Sequence, residues 1–155
     1  MSTIGSTARG EGLRRARPLV LSMIGLIFVA GCAAGGGTVN VTLAEWSVSR
    51  DKAELPAGSI VFEVSNTGPA DIHEFVVIKT DLDAGALPTD ATGAVDEAGG
   101  GMEVIDEIED IAVGSSETLT VDLVAGNYVL ICNIYSEDEL EAHYHEGMRI
   151  AFKVT

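Results

Sequence analysis

The sequence predicts an all-β protein, a Greek-key β-sandwich of about seven strands with a long loop and a short helical insertion. Short runs of residues alternate between apolar and polar side chains, which is typical of strands with one buried face. Gly, Pro and Asn residues that favour turns separate these runs. Several short strands with turns between them indicate a sandwich, in which ligand-bearing loops collect at one end of a rigid scaffold.

Six segments are predicted as strands, because their apolar residues alternate or are rich in β-branched side chains. These segments are residues 38–44, 59–65, 73–79, 117–124, 128–132 and 148–154. The segment 128–132 alternates little, which indicates a strand buried on both faces. Residues 102–111 have apolar side chains at positions 104, 105, 108 and 111, a spacing that leaves both helix and strand open.

Residues 81–101 are predicted to form the long loop. They contain six Gly or Pro residues and show no sustained period, although one helical turn near Leu82 is compatible with the composition. Loops of this length are uncommon in compact domains and are often functional.

The N-terminal residues are predicted to direct export. Four Arg residues precede an apolar stretch at 19–29, which is shorter than the roughly 20 residues of a membrane span and fits a signal peptide. The sequence Val29-Ala30-Gly31-Cys32 resembles the lipobox of bacterial lipoproteins, in which the cysteine is acylated. We therefore expect a signal peptide at 1–31, a lipidated Cys32 with a Gly-rich tether at 32–37, and one domain at 38–155. An uncleaved anchor helix is the alternative, and both place the domain on the periplasmic or extracellular side of the cytoplasmic membrane.

The formal net charge is −15 at pH 7. We expect no nucleic acid partner, because binding phosphate requires a basic surface. A charge of this sign either steers the protein toward cationic partners or suits a high-salt habitat.

Residues that bind soft metals concentrate near the C-terminus. They are Cys132, His143, His145 and Met148, and His73 lies far upstream of them. If Cys32 carries a lipid, Cys132 is a lone thiol in an oxidising compartment, and it is then either a metal ligand or a small buried apolar residue. One thiolate, two imidazoles and a weak thioether are the ligand set of a blue copper site, which transfers electrons.

Three segments resemble the cupredoxin family, the small blue copper proteins such as plastocyanin and azurin. Residues 66–68 and 73–77 (NTG and HEFVV) resemble the first-ligand region, residues 128–134 (YVLICNI) the strand that delivers the cysteine, and residues 143–148 (HYHEGM) the final ligand segment. The resemblance implies one copper ion, cycling between Cu(I) and Cu(II) and bound by His73, Cys132, His143 and Met148. His145 is the alternative to His143, which we favour because it keeps the family spacing to Met148.

The segment between Cys132 and His143 departs from the family pattern. Cupredoxins usually place two to four residues there, whereas this chain has ten, at 133–142. Ser136 and Glu139 match a helix capping box. We therefore expect a short helical excursion that returns His143 to the metal.

The sequence thus predicts a type 1 copper protein that carries single electrons between redox partners outside the cytoplasmic membrane. We do not expect an enzyme, because copper oxidases of this lineage need further copper centres. A copper-binding or copper-delivery lipoprotein and a metal-free interaction module are the alternatives. Five acidic residues beside His143 form either a solvated loop or a docking surface for a basic cytochrome or oxidase domain. They are Glu137, Asp138, Glu139, Glu141 and Glu146.

Overall fold

The computed structural model describes residues 35–155. The signal peptide predicted at 1–31 and the lipid site predicted at Cys32 lie outside the described residues and stay predictions. In the described range, no helix has the length and apolar character needed to cross a membrane.

Strands make up most of the described chain, with one four-residue helix. In chain order the elements are β1 (Gly36–Ala44), β2 (Ser47–Arg50), β3 (Glu54–Leu55), β4 (Gly58–Asn66), β5 (His73–Thr80), β6 (Met102–Ile111), β7 (Ser116–Leu123), β8 (Gly126–Ile131), β9 (Tyr135–Ser136), β10 (Glu141–Ala142), α1 (His143–Glu146) and β11 (Arg149–Val154).

Two large sheets form a sandwich, which confirms the predicted fold class. One sheet has four strands in the order β2-β1-β4-β7, and the other has five in the order β3-β11-β8-β5-β6. β1 and β4 pair in parallel, whereas β5 is antiparallel to both of its neighbours. Strands that are adjacent in a sheet are therefore often distant in sequence.

The apolar faces of the two sheets meet in one core. Phe62 of β4 contacts Phe75 of β5 and Phe152 of β11, with ring centroids 5.2 Å and 5.6 Å apart. The alternation predicted for β4 places Ile60 and Val64 in the same core. Burying one such side chain contributes about 1.5–3 kcal/mol to folding, so this core holds the scaffold on which the loops are mounted.

Residues 102–111, for which the sequence left helix and strand open, form strand β6. Its pairing with β5 has two irregularities, one between His73 and Phe75 and one between Val77 and Ile78. At each of them β6 uses one more residue than β5, and an extra residue interrupts the alternation of faces. These bulges explain why the spacing of the apolar residues in β6 resembles that of a helix.

Two glycines assigned to a flexible tether belong to strand β1 instead. Gly36 and Gly37 pair with Ser59 and Ile60 of β4. A Cβ atom on Gly36 would lie 2.0 Å from the Ser59 carbonyl oxygen, and the residue has a φ of +92°, which favours glycine. The close approach of the two strands therefore requires glycine here, and composition alone does not distinguish this role from that of a linker.

The insertion at 133–142 forms a β-hairpin, and the short helix follows it. β9 and β10 pair with Ser136 opposite Glu141. The Glu139 N–H donates to Ser136 Oγ over 3.3 Å, so half of the predicted capping box forms. It stabilises the turn of the hairpin rather than a helix, and α1 begins only at the end of the insertion.

Candidate metal centre

Three candidate ligands meet at one end of the sandwich because of how their strands pair. β5 and β8 are antiparallel neighbours, so His73, the first residue of β5, lies near Cys132, which directly follows β8. β10 brings the chain back to the same end, where His143 begins α1. The ligand atoms of His73, Cys132 and His143 all lie within 4.8 Å of one another.

The three ligand atoms form a small triangle. His143 Nδ1 lies 3.3 Å from Cys132 Sγ and 3.3 Å from His73 Nδ1, and His73 Nδ1 lies 3.8 Å from Cys132 Sγ. The centre of this triangle is about 2 Å from each atom, which is the usual length of a metal–imidazole bond. One thiolate and two imidazoles in this arrangement suit one copper ion.

The side chains of this triangle are buried, with His73 and Cys132 0% exposed and His143 1%. Burial raises the pKa of the Cys132 thiol to about 12, against the opposing effect of the backbone N–H groups of Glu74 and Ile134. Burial also lowers the pKa of both histidines, which favours the neutral imidazoles that bind metal. A metal that binds here must displace the thiol proton.

Met148, the predicted fourth ligand, is fully buried in the core that contains Cys132. Its carbonyl accepts a hydrogen bond from the Cys132 N–H over 3.0 Å, and its N–H donates to the His143 carbonyl over 3.0 Å. The backbones of three predicted ligands are therefore fastened to one another directly.

The ten-residue insertion does not separate the two predicted ligands that it joins. The His143 N–H donates to the Ile134 carbonyl over 2.9 Å, and this bond closes the base of the β9–β10 hairpin. Only Asn133 and Ile134 span the distance from Cys132 to that base. Closing a longer loop costs only a modest amount of entropy, and pairing between β9 and β10 offsets this cost. Cys132 and His143 are therefore joined by a short connection, as if the hairpin were absent.

A buried asparagine supports the loop that leads to His73. Asn66 is 1% exposed, and its Nδ2 donates to the carbonyls of Asp71 and Ile111 over 2.8 Å each. Its Oδ1 accepts the Gly68 N–H over 2.8 Å. In the sequence this residue belongs only to the segment that resembles the first-ligand region, because its partner in β6 is distant in sequence.

The loop at 81–101 supports the ligand loop from the other side. The Asn133 side chain accepts the Val95 N–H over 2.6 Å and donates to the Val95 carbonyl over 3.1 Å. The Tyr144 hydroxyl accepts the Leu87 N–H over 3.0 Å and donates to the Ala84 carbonyl over 2.9 Å. This loop therefore fixes the residues that flank the inserted hairpin.

The turn between β1 and β2 contacts both histidines, and the sequence analysis missed it. The Trp46 ring packs edge-on against His143, with centroids 4.9 Å apart and an angle of 63°. Glu45 Oε1 lies 3.7 Å from His73 Nε2. Burial acts to raise the pKa of Glu45, but the N–H groups of Asp71 and Ala70 that donate to it hold the pKa below its usual value. No motif marks either turn residue.

His145, the alternative ligand, is exposed and lies outside the triangle. Residues two positions apart on a helix do not face the same side. Helix α1 therefore directs His143 inward and His145 outward.

Three carboxylates form a second group of ligand atoms near the centre. Those of Glu74, Glu97 and Glu107 lie within 4.8 Å of one another. Burial, followed by repulsion from Glu107, raises the pKa of Glu74 to about 7. Carboxylates suit hard cations rather than copper, and we assign no metal to this group.

Several solved structures resemble this fold, although no protein-family model and no curated protein matches the chain. A reduced auracyanin from Roseiflexus castenholzii is 25% identical, with a TM-score of 0.50 over 77% of this chain and 96% of that one. Auracyanin A, a "blue" copper protein from Chloroflexus aurantiacus, is 17% identical, with a TM-score of 0.51 over 78% of this chain and 100% of that one. Rusticyanin from Thiobacillus ferrooxidans is 18% identical, with a TM-score of 0.52 over 76% of this chain and 77% of that one.

The chain has the cupredoxin fold. The resemblance noted from three short segments is thereby confirmed, and the His-Cys-His cluster at the end of this cupredoxin sandwich is suited to copper.

Replacing His143 by Ala is expected to eliminate the intense blue band that a thiolate-bound Cu(II) ion would give, and to lower the affinity for Cu(II) by more than about tenfold. The substitution removes one of the three ligand atoms. It is expected to lower the metal affinity more than the loss of a residue that only hydrogen-bonds to a ligand. His145→Ala is the matched control and is expected to leave both properties within about twofold. Visible absorption during copper titration measures the two effects, and the reverse result would make His145 the ligand.

Proposed function

We propose that this protein is a type 1 (blue) copper protein that carries single electrons between redox partners outside the cytoplasmic membrane. The observation that carries this proposal is the buried triangle of His73, Cys132 and His143. We assign Met148 as the fourth ligand, because it is buried and its backbone is bonded to Cys132 and His143. Cu(I) prefers soft sulfur ligands and imidazole suits Cu(II), so the mixed donor set serves both states. The copper ion supplies the one-electron couple, and the protein supplies a fixed set of ligands.

The contacts around the ligands favour fast electron transfer, because ligands that are already in place need little rearrangement. The Glu74 N–H donates to Cys132 Sγ over 3.2 Å. The backbones of Cys132, His143 and Met148 are joined by hydrogen bonds. These restraints come from the backbone of the sandwich and of its ligand loop.

The same burial argues against copper delivery. Handing a metal to a partner requires ligands that the partner can reach, and here the four predicted ligands are at most 1% exposed. A metal-free interaction module does not explain why the ligand atoms of three buried side chains converge within 3.3–3.8 Å of one another.

Titration of the purified full chain with Cu(II) tests the proposal. We expect an intense blue thiolate-to-copper band and a reversible one-electron couple in voltammetry. Copper that binds with only a faint band, and that a chelator removes rapidly, would favour delivery. Absence of binding would favour the metal-free module.

We also propose that the protein is exported and anchored through a lipid on Cys32. The basic, apolar and lipobox segments at the N-terminus support this location. Mass spectrometry of the N-terminal peptide from the membrane fraction tests this proposal, because a lipid on Cys32 increases the mass of the peptide.

The proposed partner is a basic redox protein, such as a cytochrome or an oxidase domain, that docks on the inserted hairpin. Glu137, Asp138 and Glu139 are exposed on this hairpin. Leu140, which follows these acids and precedes β10, is 75% exposed. Ile72 is 48% exposed and lines a cavity together with His143. Exposed apolar side chains with acidic neighbours suit a partner that has an apolar centre and a basic rim.

The rate of electron transfer to a basic c-type cytochrome is expected to fall by at least about tenfold between low and high ionic strength, because salt screens the attraction. Removing two negative charges from the hairpin with Glu137→Gln and Asp138→Asn is expected to lower the rate of electron transfer at low ionic strength. Glu117→Gln and Asp122→Asn, two exposed acids on β7, are the matched control. Stopped-flow absorption measures the rate, and a rate independent of salt would contradict docking on this surface.

A further inference from the structure

Glu45 occupies an unusual place for an acidic residue. It lies in the two-residue turn between Ala44 and Ser47, which pair as the last and first residues of β1 and β2. Its side chain is only 11% exposed, and it approaches the buried side of His73 rather than solvent. No basic residue is paired with it in the described part of the chain apart from this histidine.

Two buried polar atoms at this contact lack hydrogen-bond partners. Within residues 35–155 they are Glu45 Oε2 and His73 Nε2. His73 directs Nδ1 into the triangle of ligand atoms, so a metal on Nδ1 leaves the imidazole proton on Nε2. That N–H then needs an acceptor, and the carboxylate of Glu45 is 3.7 Å away.

The carboxylate is held where it can accept this proton. Glu45 Oε1 accepts the N–H groups of Ala70 and Asp71 over 3.1 Å and 2.7 Å. These residues precede His73 in the same loop, so the Glu45 side chain joins this loop to the turn between β1 and β2 and keeps the carboxylate beside the imidazole. A shift of about 1 Å brings the carboxylate and Nε2 to the length of a charge-assisted hydrogen bond.

We propose that Glu45 is a positioning residue of the metal centre, whose carboxylate accepts the Nε2–H of His73 and thereby favours the oxidised metal ion. The inference rests on the proposed copper function. A carboxylate behind a ligating imidazole fixes its tautomer and makes it a stronger donor. The negative charge stabilises the ion of higher charge more than the ion of lower charge, so the carboxylate lowers the reduction potential.

Replacement of Glu45 by Gln tests this assignment. The amide oxygen still accepts the two backbone N–H groups, so a purely structural role would be largely preserved. We expect the Cu(II) affinity to fall about tenfold relative to the Cu(I) affinity, which raises the potential by about 59 mV for one electron. Glu63→Gln, which removes an exposed carboxylate from β4, is the matched control and is expected to change this ratio less than twofold.

Potentials from spectroelectrochemistry, Zn(II) affinities from competition titration and thermal unfolding of the metal-free chain separate the outcomes. A Glu45→Gln potential that moves no further than that of Glu63→Gln overturns the role of Glu45 while the copper function stands. If the unmodified chain has no blue band or reversible couple, the proposed function is wrong. In that case Zn(II) affinity decides the role of Glu45: a tenfold loss in Glu45→Gln alone supports it, and equal affinities overturn it.

Discussion

Replacement of Cys132 by Ser is expected to abolish the intense blue band of the copper-loaded protein completely. The band arises from charge transfer between a thiolate and Cu(II), and Cys132 contributes the sulfur of the ligand triangle. A serine hydroxyl is a hard, weakly acidic donor and does not replace a thiolate at a soft site. We expect any copper that remains bound to give only a pale colour and to lose the reversible couple.

The other cysteine of the chain supplies a matched control for this experiment. Cys32→Ser makes the same substitution at the proposed lipid attachment site, outside the described residues, and the blue band is expected to persist. Circular dichroism of both variants checks that the sandwich remains folded. A full blue band in Cys132→Ser would exclude Cys132 as the ligand and with it the proposed copper site.

Replacement of Phe62 by Ala is expected to lower the free energy of unfolding of the metal-free protein by about 3–5 kcal/mol. Phe62 is 0% exposed and contacts aromatic rings on two strands of the opposite sheet. Truncating this side chain leaves a cavity between the sheets. The strands are held in place by hydrogen bonds, so they move only far enough to fill part of the cavity. Since domains of this size are stable by about 5–15 kcal/mol, the variant is expected to be marginally folded.

Urea unfolding followed by circular dichroism measures this loss. Phe62→Leu retains much of the volume and is expected to cost less than the alanine variant. Val124, which is 59% exposed, offers the control Val124→Ala, with an expected change within about 0.5 kcal/mol. A loss below about 1 kcal/mol for Phe62→Ala would mean that the two sheets are not held together through this residue.

The sequence was most informative where one local pattern determines the structure. Alternation in β4 and β7 predicted strands close to their observed bounds, because a single buried face requires a period of two. In β6 the same reasoning was ambiguous. The bulges opposite His73 and Val77 depend on pairing with β5, and a single segment does not reveal such pairing.

For the metal centre too, the sequence indicated some features and not others. The types and order of His73, Cys132, His143 and Met148 indicated a copper ligand set. Their supports come from residues that are distant in sequence, such as Asn66 with Ile111, and composition gives no sign of these pairs. The inserted segment was predicted as a helix from its capping pattern, but strand pairing across the turn prevailed.

The closed base of the inserted hairpin has a consequence for how such a protein can change. The bond between the Ile134 carbonyl and the His143 N–H holds the ligand loop at a fixed span, whatever the chain does beyond it. Residues 135–142 can therefore lengthen, shorten or exchange their charges while the ligand positions stay the same. The surface that the hairpin presents and the span between the ligands are in this way set by different bonds, within one continuous stretch of sequence.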